Sequence, residues 1–126
     1  MPTLKPTDAE LAILHVLWTQ GPSTVRTVHE ALDRAQPVGY TTVLKLMQIM
    51  AEKGLATRDE SQRAHVYAAA VPRERVQERL VGDLLDRAFG GSAKQLVLRA
   101  LSSTPSSAAE LAEIRALLDK LEEDQS

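Results

Sequence analysis

The stretch VGYTTVLKLMQIMAEKGL, residues 38 to 55, decides the fold. Val43, Leu46, Met47 and Met50 recur at i, i+3, i+4 and i+7, the period of a helix with one buried face. The opposite face carries Tyr40, Thr41, Leu44, Lys45 and Gln48. It is poor in the Glu and Lys that coat a solvated helix, and rich in side chains able to grip a ligand. Gly54 stands at the C-terminal exit, where a left-handed residue is needed.

Two shorter helices are expected upstream. Thr7 with Glu10 reads as a capping box opening the first, whose core stripe is Leu11, Leu14, Leu17 and Trp18 and which ends at Gly21-Pro22. The second follows Ser23 or Thr24, turns Val25, Val28 and Leu32 inward and stops near Gln36-Pro37. Downstream of Gly54 the period changes from 3.6 to 2. LATRD and AHVYA read as strands joined by a polar ESQR turn, with His65 and Tyr67 on one side and Ala64, Val66 and Ala68 on the other.

Three helices followed at once by a hairpin is the order of a winged helix-turn-helix, whose third helix enters the DNA major groove. In that frame Thr41 and Thr42 suit a base or phosphate and Tyr40 a phosphate. Gln48 matches adenine, and Lys45 suits guanine or phosphate. Arg58 and Arg63 flank the hairpin turn and suit phosphate or the minor groove. A winged-helix protein-interaction module without sequence-specific DNA binding is the competing reading of the same face.

Composition bounds the alternatives. The chain has 126 residues, 44% hydrophobic and 25% charged, within the range of one ordinary globular domain or one small domain plus an appendage. Its formal charge is −2. Residues 1–75 carry net +1 and residues 76–126 net −3, so a strongly basic footprint is absent. The lack of cysteine excludes disulfides, thiolate metal sites and cysteine nucleophiles. MPTLKPTDAE does not resemble a signal peptide, and no stretch approaches the roughly 18 apolar residues of a membrane span, so a cytoplasmic protein without membrane insertion is expected. His15, His29 and His65 fall in separate elements without metal-site spacing, and no cofactor motif or catalytic constellation is present.

The run TDAELAILHVLW, then YTTV, MAEKGL and HVYAA, resembles the BlaI/MecI/CopY family of winged-helix regulators, the penicillinase-repressor type. FGGSAKQLVLRAL followed by AELAEIRALLDKL is similar to that family's dimerisation region, so the resemblance spans nearly the whole chain. It implies a dimeric repressor on a palindromic operator of double-stranded DNA, controlling β-lactam-resistance or cell-envelope genes. In some members a membrane sensor protease or other antirepressor acts upstream. Where the β-lactam-responsive members carry an Asn-Phe cleavage pair, this chain has Arg99-Ala100, and it contains no Asn. The copper-responsive members use C-terminal cysteines, and here there are none.

Physics gives the second half a similar outline. Pro72 leads into a helix with Val76, Leu80 and Leu84 at i, i+4 and i+8, broken by Phe89-Gly90-Gly91. Ser92 with Gln95 reads as another capping box, and Ser107 with Glu110 starts a last helix. These helices present Leu96, Leu101, Leu111, Ile114, Leu117, Leu118 and Leu121. About fifty such residues cannot bury a core alone, because stretches below roughly 70 to 80 residues need staples, metal or a partner. A homodimer is expected. The fold class is therefore mainly α with a small β-hairpin, a winged helix-turn-helix DNA-binding domain at 1–73 and a helical dimerisation domain at 74–126.

Overall fold

A computed structural model describes residues 5–125 of the chain. Nine elements follow one another: α1 (Asp8–Gln20), β1 (Ser23–Thr24), α2 (Val25–Ala35), α3 (Tyr40–Lys53), β2 (Ala56–Asp59), β3 (Val66–Ala69), α4 (Arg73–Ala88), α5 (Ala93–Ser103) and α6 (Ala108–Asp124). They divide into two compact units, with the division inside α4 at Gly82.

The first unit is built on α1, α2 and α3. The Thr7 hydroxyl accepts the Glu10 amide at 3.2 Å while Glu10 Oε1 accepts the Thr7 amide at 2.9 Å, so the capping box is reciprocal. Glu10 is nonetheless buried, because the same carboxylate receives Lys53 Nζ at 2.9 and 3.1 Å. That bond ties the start of α1 to the end of α3. The Thr24 side chain caps α2, and Gly54 ends α3 at φ 85°. Ile13, Leu14, Leu17, Val28, Val43, Met47, Met50, Leu55 and Tyr67 form the core with Val76 from the start of α4. Trp18 Nε1 donates to the Val71 carbonyl at 2.9 Å and pins α1 against the chain that follows the sheet.

Several expectations are corrected here. Leu11 and Trp18 are only half-buried, whereas Ile13 and Val16 are buried, because α1 is covered by α2, α3 and β3 along a broader band than one stripe. Leu46 is half-buried for its part on α3. The hairpin belongs to a three-stranded antiparallel sheet in the order β1-β3-β2, in which Ser23 pairs with Tyr67 and Arg58 with Tyr67 from the other side. His65 and Tyr67 do not share an environment. His65 lies in the exposed loop before β3, and Tyr67 is 1% exposed because both neighbouring strands and the core close over it.

The second unit comprises the end of α4, α5 and α6. Gly90 and Gly91 take φ 55° and 82° after α4, and the Gly91 amide returns to the Leu85 carbonyl. The hydroxyls of Ser92 and Ser107 cap α5 and α6 by accepting the amides of Gln95 and Glu110. Neither α5 nor α6 contains a buried side chain.

Candidate nucleic-acid interface

The outward face of α3 is open. Tyr40, Thr41, Thr42, Lys45 and Gln48 are exposed, and Leu44 is half-buried where it packs against the core. The N-cap residue is Gly39, which has no side chain to satisfy the first-turn amides. Thr41 and Thr42 therefore do not serve as caps, and neither hydroxyl has a partner among the described residues. Free amide donors, free hydroxyls and the positive end of the helix dipole share this corner, a combination that favours an anion.

The sheet edge and its loop complete the surface. A recess of about 430 Å³ is lined by Tyr40, Leu44 and Gln48 from α3, by Arg26 near the start of α2 and by Arg63 and His65 of the loop between β2 and β3. Two cations thus face the outer side of α3 across one concavity. A second recess, about 510 Å³, joins Gln48 to Thr57, Arg58 and Glu60. Gln48 borders both. Thr41, Thr42 and Lys45 line neither recess and stand on the exposed outer side.

The two wing arginines differ. Arg58 lies within β2, and its guanidinium is 3.0 Å from Glu60 Oε1. The Tyr67 hydroxyl and the Glu60 carboxylate hold its charge more firmly than usual. Arg63 has no ion-pair partner among the described residues, so its charge is available to a ligand. Asp59 receives the Ser61 amide at 2.9 Å and shapes the turn between them, and the Ser61 hydroxyl and amide hold its carboxyl below the usual range.

Neither Arg26 nor His65 is among the DNA-contact residues that the sequence offers. Arg26 is one position inside α2 and pairs with Glu30 at 3.2 Å, which alone reads as an ordinary i,i+4 pair on a solvated helix. A basic residue in the first turn of the helix before α3 was the available signal. Among the described residues no group of three or more metal-ligating side chains occurs, and no helix is long and apolar enough to cross a membrane.

On the second unit the expected contact residues divide. Leu84, Leu101, Leu118 and Leu121 are exposed, and Leu96, Leu111 and Ile114 are half-buried. Leu117 and Leu118 are 56% and 50% exposed, so these two leucines of α6 are not covered by the described chain. Arg99 and Ala100 lie inside α5 with exposed side chains.

Comparison with known proteins agrees with this architecture. The family model described as penicillinase repressor matches residues 6–120. Transcriptional regulator BlaI of Mycobacterium tuberculosis, in each of two strains, is 37% identical over 92 residues, covering 72% of this chain and 67% of the relative. Among solved structures, the DNA binding domain of the repressor BlaI has a TM-score of 0.52 at 20% identity, covering 58% of this chain and 90% of its own. A transcriptional regulator from Thermotoga maritima has a TM-score of 0.50 at 20% identity, covering 90% of this chain and 77% of its own. The two structures support the winged-helix fold, and the sequence matches establish descent: the chain belongs to the penicillinase repressor family of transcriptional regulators and is homologous to BlaI.

Proposed function

We propose that this family member represses transcription as a homodimer that occupies a palindromic operator, with α3 of each subunit in the major groove and the β2–β3 loop over neighbouring phosphates. The observation that carries the reading is the pairing of the uncapped outer face of α3 with the unpartnered Arg63 across one recess. Gln48 and Lys45 are assigned to base edges, Thr41, Thr42 and Tyr40 to the backbone or a thymine methyl, and Leu44 to apolar contact at the floor. Arg63 takes a phosphate. Arg58 reaches one only by exchanging Glu60.

The exposed leucines of α4, α5 and α6 support the dimer, since a unit with no buried side chain in α5 or α6 needs a second surface. Two subunits also offset the weak positive charge of the first, by doubling phosphate contacts and placing two recognition helices about 34 Å apart. Family membership supports β-lactam-resistance or cell-envelope genes as targets, and an upstream antirepressor as the releasing partner. Action is placed in the cytoplasm, where the operator lies.

Titration of labelled double-stranded DNA at two salt concentrations tests this. Tight binding to one sequence with a steep loss at higher salt is expected. Binding indifferent to salt and sequence would instead make the α3 face a protein-docking surface.

A further inference from the structure

Behind the α3 face, a small network joins the preceding turn to α2. His29 Nε2 lies 2.7 Å from the Val38 carbonyl oxygen, and Asp33 Oδ1 accepts the Val38 amide at 3.0 Å. Both polar groups of one turn residue are thus held by side chains four positions apart on α2, one helical turn. A carbonyl oxygen can only accept, so Nε2 of His29 carries hydrogen. The same imidazole meets the Tyr40 ring edge to face, with centroids 5.8 Å apart and planes at 77°. Tyr40 is the first residue of α3 and is 47% exposed.

The contact does little for the core. Val28, Val43 and Met47 already pack α2 against α3, and the Asp33 bond independently holds the amide side of the turn. What the imidazole adds is a fixed direction for an exposed phenol that has no other ring or hydrogen-bond partner among the described residues. Exposed tyrosines sample several rotamers, and holding one in advance removes that cost when a ligand arrives.

We propose that His29 is a positioning residue for DNA binding: it anchors the turn through Val38 and directs Tyr40 toward the nucleic acid without touching DNA itself. This rests on the function proposed above. The experiment therefore separates the two. Dissociation constants for a selected DNA site are measured for the wild type, His29→Leu, Tyr40→Ala and the double variant, and ¹⁵N NMR of the free protein reports the His29 tautomer.

His29→Leu should weaken binding about five-fold, the scale of one aromatic pair, yet change it less than about two-fold when Tyr40 is already replaced by alanine. The ¹⁵N shifts should place the proton on Nε2. His29→Gln, which can still donate to Val38, should recover part of the loss, and it replaces the leucine variant in the cycle if that variant does not fold. Equal losses in the wild-type and Tyr40→Ala backgrounds would reduce His29 to a structural role and overturn the inference alone, as would a proton resident on Nδ1. Absence of wild-type DNA binding would overturn the proposed function and this inference with it.

Discussion

Arg63→Ala offers the sharpest reading of the wing. The Arg63 side chain is exposed, has no ion-pair partner among the described residues and borders the recess beside α3. If each subunit places it on one phosphate, the dimer loses two contacts, and each contact is worth about 0.9 in the slope of log affinity against log salt. The slope should become shallower by about 1.8, so a four-fold rise in salt should cost the variant about twelve-fold less affinity than it costs the wild type. Arg58→Ala is the internal comparison. Its guanidinium already faces Glu60 at 3.0 Å, so its slope change should be less than half that of Arg63. Fluorescence anisotropy on one DNA duplex at four salt concentrations measures both. An unchanged slope in Arg63→Ala, or a larger change in Arg58→Ala, would refute the assignment of the two arginines.

Lys45→Ala and Gln48→Ala should each cost roughly 1 to 3 kcal/mol on the selected site and relax base preference there, with little change on random DNA. Equal losses on both DNAs would show that they only position the backbone. Leu118→Asp should give monomers by sedimentation velocity and lose most operator affinity, since it places a carboxylate among exposed leucines of α6; a variant that stays dimeric contradicts that interface. Acid stability should follow Glu10. Burial raises its pKa, but the Thr7 backbone and the Lys53 ammonium outweigh burial and leave it lowered from 4.5. A lowered folded value means that its contribution is complete above the unfolded pKa and is lost as pH falls through the folded one. Denaturant midpoints across that acid range should therefore fall less steeply in Glu10→Gln than in the wild type, and parallel curves would exclude Glu10 as the source.

Local chemistry made much of this fold legible. Thr7 with Glu10, Thr24, and Gly54 at φ 85° mark helix ends by short-range hydrogen bonding and backbone freedom, which depend on neighbours in sequence. The buried face of α3 was readable for the same reason, as Val43, Met47 and Met50 obey one period. What escaped depends on residues distant in sequence. Ser23 and Thr24 form a strand only because β3 runs beside them, and a two-residue strand has no period of its own. Glu10 read only as half of a capping box, and its second partner, Lys53, lies 43 positions on. Tyr67 and His65 alternate correctly for a strand, but β3 begins only at Val66, so alternation did not decide burial.

The candidate site shows the same division. The exposed residues of α3 are a property of one helix and could be proposed from spacing. The convergence of Tyr40, Leu44 and Gln48 with Arg63 is a property of the folded wing, and Arg26 joins them from another helix. Even the difference between Arg58 and Arg63 is invisible in composition, because it follows from where Glu60 and Tyr67 lie around the first.

The central claim is most directly tested by selecting bound sequences from a random double-stranded DNA pool with the full chain. A palindrome whose half-sites are about one helical turn apart is expected, matching two α3 helices related by a dimer axis. Failure to enrich any sequence, with the protein folded and dimeric, would contradict it and assign the face of Tyr40, Thr41, Lys45 and Gln48 to a protein partner.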